Sequence, residues 1–343
     1  MSKVLVTGAA GFIGSQLAYR LWKDKEDVIL VDNFSYGSDD NLIFEDHDFR
    51  EEIYRKDIRD KVFMEDLFAK NNFDLVYHIA AITPLPDCQN MRVEAVDVNV
   101  RGTVIMLDLV RRYGVKKMVF ASTSAVYENN TDFPSVEGHV EKPSLLYPST
   151  KYTAEQFCKA FSDAYGIPIV CLRFANVYGP HIDCLRTQPP VMGYIIREIF
   201  NGRPPILHST GEQERDFVYV DDLIDLAVLV GKAEKYDTVN VSTGTTVSIN
   251  KIADIICRQM ETDIRPEYAE VSHFWSKYPE LYAKPYPISE KMLENEVLKY
   301  TCLSNQHAKE EYGWQPKTSL EEGIRNTVDF SVKVLEKART NNG

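Results

Sequence analysis

Val4-Leu5-Val6-Thr7-Gly8-Ala9-Ala10-Gly11-Phe12-Ile13-Gly14, followed by Val28-Ile29-Leu30-Val31-Asp32, decides the reading of this sequence. An aliphatic, β-branched run ends in glycines, and a helical pattern then begins with Ile13, Leu17 and Leu21 at four-residue spacing. A second apolar run ends in an acid, so the unit reads strand, turn, helix, strand. Glycine permits the tight turn and lets backbone N–H groups approach a pyrophosphate at the positive end of the helix. Asp32 stands where an acid accepts hydrogen bonds from a ribose 2′-hydroxyl and repels a 2′-phosphate. The glycine spacing, G-x-x-G-x-x-G, is one residue longer than the plain dinucleotide fingerprint. The expected cofactor is NAD rather than NADP, with Gly8, Gly11, Phe12, Ile13, Gly14 and Asp32 as candidate contacts.

Working outward, strand and helix patterns alternate. Asn33 opens a turn-rich loop where an adenosine ribose would sit, and Ile53 to Ile58 reads as a third strand. Asp57 and Ile58, at its carboxyl end, are expected beside the adenine. Asp74 to Ala81 reads as a fourth strand running into Ala80 and Ala81, small residues that let a cofactor pass close to the backbone. His78 reads as a structural histidine. A long helix is expected from about Met91 to Tyr113, with Asn99 inside it either as a cofactor-side residue or as a buried polar bracket. Lys117 to Ala121 and Ile167 to Phe174 read as the next strands, the former delivering Ser122, Thr123 and Ser124 to its carboxyl end. The alternation predicts an α/β fold: a Rossmann-type doubly wound parallel sheet with a smaller, mixed α/β C-terminal substrate lobe. The expected division is 1–179 for the NAD-binding domain, with 216–243 returning to it, and 180–215 with 244–343 for the substrate lobe. Residues 265 to 300 read as irregular and aromatic-rich, and the last residues, to Gly343, as frayed.

The 343 residues carry a formal net charge of −12, which argues against a nucleic-acid or acidic-membrane surface. Six scattered cysteines lack any C-x-x-C pair and read as reduced thiols. No metal site is expected. No apolar run approaches the length needed to span a bilayer, and no cleavable signal pattern precedes the first strand, so the expected location is the cytoplasm, without a membrane partner.

Tyr147 and Lys151 are four apart, on one face of a predicted helix. A free phenol titrates near 10, too weak a base at neutral pH, but a nearby ammonium and a cationic nicotinamide both favour the phenolate. The pair, with a hydroxyl from Thr123, therefore makes a candidate general base for a sugar hydroxyl. Pro148 disfavours helical geometry in the residue before it, which predicts a helix starting at Pro148 with Tyr147 just outside.

With these residues in order, the sequence resembles the extended short-chain dehydrogenase/reductase family, specifically its NAD-dependent nucleotide-sugar epimerases and dehydratases. The resemblance rests on Thr7 to Gly14, Asp32-Asn33, Asp57-Ile58, His78 to Ala81, Asn99 to Thr103, Ser122 to Tyr127, Tyr147 with Lys151, Arg173 to Pro180, and Gly211 to Asp222. It implies a catalytic Thr123, Tyr147 and Lys151, with Lys151 also at the cofactor and Asn99 among the cofactor-side residues. It further implies a nucleoside-diphosphate sugar as substrate, Asn176 near its diphosphate or sugar, Arg215 gripping the diphosphate, and a homodimer. Thr83, Ser124 and Arg186 complete the substrate-facing candidates. For Arg215 a surface ion pair with Asp216 or Asp222 is the alternative. Members resembling 4,6-dehydratases carry an Asp-Glu pair after the threonine, and decarboxylases typically carry Glu at the second position; here Ser124 and Ala125 stand there. The expected reaction is therefore C4 epimerisation of a nucleotide hexose or uronate through a transient 4-keto sugar. The alternative is a lyase on the same scaffold, with a carboxylate supplied by Glu128 or the loop of the 180s. The sequence departs from the family where Glu128 replaces a usual glycine, at Leu207 to Gly211, and in the aromatic segment, whose rings are expected to pack a lid or a dimer contact before they stack on a ligand.

Overall fold

The computed structural model describes residues 2–341; of the last residues expected to fray, Asn341 still belongs to the final helix, and the two after it lie outside the described residues. Seven parallel strands form one sheet: β1 (Lys3–Thr7), β2 (Asp27–Asp32), β3 (Ile53–Arg55), β4 (Leu75–His78), β5 (Lys117–Thr123), β6 (Ile169–Phe174) and β7 (Asp237–Val241). Their order is β7-β6-β5-β4-β1-β2-β3, so the direction of winding reverses beside β1, where Leu5 pairs with Ile29 on one side and Val76 on the other. Alternation along each strand sends successive side chains to opposite faces. Val4, Val6, Leu30, Val119 and Leu172 join one buried cluster with α1 (Phe12–Lys23). Leu5, Val31, Val76, Phe120 and Ile169 join the other. That second face is covered by α2 (Lys61–Lys70), α3 (Thr103–Arg112) and α4 (Leu146–Tyr165). All six cysteines are free and buried.

After β6 the chain builds a second core from α5 (Val191–Phe200), α7 (Ile249–Gln259) and α9 (Leu320–Asn341), with Ile195, Ile252, Ile256, Ile324 and Val328 at its centre. Between these elements the chain returns to the sheet: α6 (Val220–Val230) packs on α1, and β7 pairs with β6 in the register Val239 to Leu172. Ala308 and Trp314 also join the sheet's first cluster, so this part of the segment beyond 244 packs with the sheet layer. Short strand pairs (Asn176–Tyr178 with Phe217–Tyr219, Glu214–Arg215 with Val247–Ser248, Ile206–His208 with Glu267–Ala269) stitch the lobe together.

Four sequence expectations are corrected. The helix α4 begins at Leu146, so Tyr147 and Pro148 both lie in its first turn. Proline is tolerated there because first-turn N–H groups have no intrahelical partner to lose. The long helix expected from Met91 is divided by a wider, π-type turn over Asp97–Gly102, between Arg92–Val96 and α3. β3 ends at Arg55, because Lys56 turns to donate its N–H to Tyr54 and Asp32 carbonyls. The segment 265–300 is not irregular throughout: it holds Glu267–Ala269 and α8 (Glu290–Leu298), and Trp275, Leu281 and Leu293 close on Leu145 as a small buried cluster.

Candidate active site

The carboxyl ends of the strands and the lobe enclose a cavity of about 960 Å³. Every site residue expected from the sequence lines it except Asn99. Open α/β sheets bind ligands at this place, where the winding reverses.

The cofactor end is built by β1, α1 and β2. Gly8 has a left-handed φ of +72°, and a Cβ there would lie 2.6 Å from the Ala80 nitrogen. A Cβ on Gly14 would lie 2.0 Å from the Gly8 carbonyl oxygen, so only glycine permits this close turn. No side chain caps α1, which leaves the first-turn N–H groups of a cavity-lining helix end for a phosphate. Asp32 accepts the Ala10 N–H at 3.0 Å on one oxygen and the Phe34 N–H at 2.6 Å on the other, which fixes its carboxylate at the rim. Burial pushes its pKa up, and these two amides pull it back. Asp57 is held near 2 by Arg59, despite partial burial, and accepts the Asn33 amide at 2.9 Å. These features fit a dinucleotide: a glycine turn for the pyrophosphate, an anchored acid for a ribose, and Ile58, Ala80 and Ala81 as apolar lining.

Asn99 is a bracket behind the wall rather than a contact. It is 1% exposed, its Oδ1 accepts the Ile82 N–H at 2.8 Å, and its Nδ2 donates to the Ile82 carbonyl at 2.9 Å and to Thr150 at 3.1 Å. The wider helical turn places it there and so shapes the Ile82 wall of the cavity. His78, fully buried between the hydroxyls of Thr7 and Thr103, is structural, and burial holds its pKa down at about 3.

At the reacting end, β5 presents Thr123 and α4 presents Tyr147 and Lys151. Burial raises the pKa of the Tyr147 phenol, while the neighbouring Thr123 hydroxyl and the Arg186 guanidinium lower it. Thr123 Oγ1 also accepts the Ala125 N–H at 3.1 Å. Lys151 Nζ donates to the Ala121 carbonyl at 2.6 Å and lies 4.8 Å from the Phe120 ring centroid. Burial lowers its pKa to about 8, so the ammonium is largely retained at neutral pH. Ser122 beneath them donates to Glu155, which pairs with Arg173 at 2.7 Å in a buried network that includes Tyr127. Glu155 follows Lys151 by one helical turn, a spacing that could have flagged it from the sequence.

On the lobe wall, Arg215 makes no ion pair with Asp216 or Asp222. Its guanidinium donates to the carbonyls of Glu214 at 3.0 Å, Glu296 at 3.3 Å and Val297 at 2.8 Å. Asp216 instead accepts N–H groups from Thr243 and Gly244, and Asp222 those of Lys317 and Thr318. Burial lowers the Arg215 pKa to about 10, which leaves it cationic. Asn176 Nδ2 donates to the Asp216 carbonyl at 2.9 Å, and Arg186 Nε to the Gln188 carbonyl at 2.7 Å. Thr83, exposed, and Ser124, half-buried and next to Thr123 in the chain, both line the cavity. Two features were not anticipated: Tyr36 and Tyr278 both donate to Asp87, at 2.7 and 2.6 Å, joining the cofactor loop to the aromatic segment.

Six carboxylates line the cavity, and each has a partner. Asp32, Glu128 and Asp183 accept backbone N–H groups, Asp57 and Glu94 pair with Arg59, and Glu296 pairs with Lys299. No cluster of metal-binding side chains occurs among the described residues, and no helix among them is long and apolar enough to cross a membrane.

Residues 4–242 match the profile of the NAD-dependent epimerase/dehydratase family, and the chain belongs to that family. It is 34% identical, over 95% of its length and 97% of the relative's, to a putative UDP-glucose 4-epimerase of Methanocaldococcus jannaschii. It is 30% identical to the dTDP-D-glucose 4,6-dehydratase of Mus musculus, over 96% of this chain and 88% of that one. Among solved structures, the UDP-glucose 4-epimerase of Thermotoga maritima with UDP-glucose superposes with a TM-score of 0.84 at 30% identity, covering 97% of this chain and 99% of the other.

Proposed function

We propose that this member of the NAD-dependent epimerase/dehydratase family interconverts the C4 epimers of a nucleoside-diphosphate hexose or uronate, with NAD as a cofactor that is not consumed. One observation carries the choice of reaction. Ser124 and Ala125 follow Thr123, and each carboxylate lining the cavity is engaged by an amide or a cation, so no free acid stands beside the reacting end to drive elimination. The named relatives that catalyse 4-epimerisation act on UDP sugars, which makes these the first substrates to test.

The chemistry that NAD supplies when bound is reversible acceptance of hydride. Tyr147 Oη takes the proton of the sugar 4-hydroxyl and returns it, with Thr123 Oγ1 sharing that proton. The Lys151 ammonium, one helical turn beyond Tyr147 and also lining the cavity, adds a positive charge that favours a phenolate on general electrostatic grounds. Arg215 and Asn176 orient the diphosphate, so that the sugar can turn between its two faces while the nucleotide stays in place. Arg186, Thr83 and Ser124 contact the sugar end. In this reading, 1–179 with 216–243 hold the cofactor, and 180–215 with 244–343 hold the substrate. The expected homodimer would use the neighbouring helices that expose Val93, Val96 and Phe157, and light scattering tests it. A cytoplasmic location goes with the same reading.

The test is incubation of the purified protein with UDP hexoses and UDP uronates, without added reductant, and mass-resolved analysis of the products. The expected product is an isomer of unchanged mass with inverted C4. Loss of water or of carbon dioxide would overturn the reading in favour of a lyase.

A further inference from the structure

The helix α4 carries Tyr147 and Lys151, yet it is poorly equipped to fix its own start. Its N-cap is Leu145, which has no side-chain acceptor, and Pro148 in its first turn has no N–H. The entry is held from outside instead. Glu128 Oε1 accepts the N–H of Ser144 and, at 2.8 Å, that of Leu145. Gln89 Oε1, from the short helix Leu85–Asn90, accepts the N–H of Leu146 at 3.1 Å. Three consecutive amides immediately before Tyr147 are thus anchored by two side chains from different parts of the chain. A carboxylate at this end also suits the positive pole of the helix.

Glu128 is itself braced. It follows the turn Ser124–Tyr127 that β5 delivers, the same stretch that begins just after Thr123. Burial raises its carboxyl pKa, its two amide donors and Lys299 lower it, and Glu296 raises it. Lys299 pairs with Glu296 at 2.7 Å, and the Glu296 carbonyl is one of those that hold Arg215. A residue at 128 without a side-chain acceptor would offer no cap.

We infer that Glu128, assisted by Gln89, is a positioning residue that caps the catalytic helix from outside and so sets Tyr147 against Thr123. The inference rests on the reading of Tyr147 as the base. It acts through backbone geometry, so it requires an acceptor at 128 rather than a charge.

The test compares Glu128→Ala, Glu128→Gln and Gln89→Ala in the full-length protein, by steady-state kinetics with the epimerised UDP sugar and by hydrogen–deuterium exchange. Glu128→Ala should lower kcat by about 10- to 100-fold, as a small misplacement of a catalytic group does, with KM unchanged. Exchange at residues 144–146 should quicken in the same variant. Glu128→Gln keeps the acceptor and should restore both readouts. Gln89→Ala, which removes one anchor only, should shift both in the same direction by less. Unchanged exchange at 144–146 in Glu128→Ala would overturn the inference. So would a Glu128→Gln enzyme as impaired as Glu128→Ala, or a rise in KM that marks Glu128 as a sugar contact. The exchange measurement needs no substrate, so it stands even if no UDP sugar is epimerised.

Discussion

Asp32, on the sheet wall of the cavity, takes its amide donors from positions 22 before it and 2 after it, whereas Arg215, on the lobe wall, reaches carbonyls 81 and 82 positions away. The sheet wall is placed by strand register: once β1, β2, β4 and β5 pair, Gly8, Asp32, Ala80 and Thr123 arrive together at one edge. The lobe wall has no such period. Arg215, Asn176 and Asp216 lie on or beside strands of two or three residues and are placed by individual hydrogen bonds, to the end of α8, to one another's backbone and to the loop after β7. Replacements on the sheet wall should therefore change cofactor binding or chemistry while sparing substrate binding, and replacements on the lobe wall should change substrate binding and local order together.

The largest expected effect breaks the comparison if it fails. Tyr147→Phe should lower kcat by about 10³-fold, within the range that a positioned acid–base group contributes, and leave KM in place. Steady-state kinetics check this, and a KM shift of similar size would mean that the two walls are not separable. Arg215→Ala should raise KM by about 100-fold, the scale of a lost charge-assisted contact, with a smaller change in kcat. The same variant should lower Tm, because the carbonyls of Glu296 and Val297 lose their donor.

Acid should act on the two walls with opposite sign. The His78 pKa is depressed to about 3, so the unfolded chain binds the proton first, and stability is lost progressively as pH falls below about 6.5. The Asp216 pKa is raised to about 6, so its contribution is fully present below about 3.8 and is lost as pH rises through 6. Each group can tilt stability by at most about 1.4 kcal/mol per pH unit. Hydrogen exchange between pH 4 and 7, corrected for intrinsic rates, should thus show β4 loosening in acid while the Arg215–Asp216 junction tightens. Parallel behaviour of the two would contradict the assignment.

The smallest expected effect concerns the joint between the walls. Tyr278→Phe removes one of the two phenols that meet on Asp87 and should cost about 1 kcal/mol, read as a modest fall in Tm. Tyr36→Phe, on the sheet side of the same acid, should match it.

This contrast also marks how far the sequence could be read. The glycine turn, Asp32, Thr123 and the Tyr147–Lys151 pair were legible because each follows a strand or helix pattern at short range, and the cavity brings them together. Asn99 was legible as a polar position, but the wider turn that aims it at Ile82 leaves no compositional trace. The start of α4 was misplaced by two residues because the rule for a residue before proline was applied without the external caps that hold Tyr147 helical. Glu128, Gln89, Asp87 and the carbonyls that hold Arg215 act over tens of residues, and no periodicity connects such partners.

The most direct measurement of the central claim is turnover of a UDP hexose in deuterium oxide, with the isolated product's carbon-bound deuterium located by NMR. Epimerisation with return of the same hydride predicts a C4-inverted product of full oxidation state, with no solvent deuterium at C4, C5 or C6. Deuterium at C5 or C6, with loss of the 6-hydroxyl, would contradict the account and assign elimination to this site.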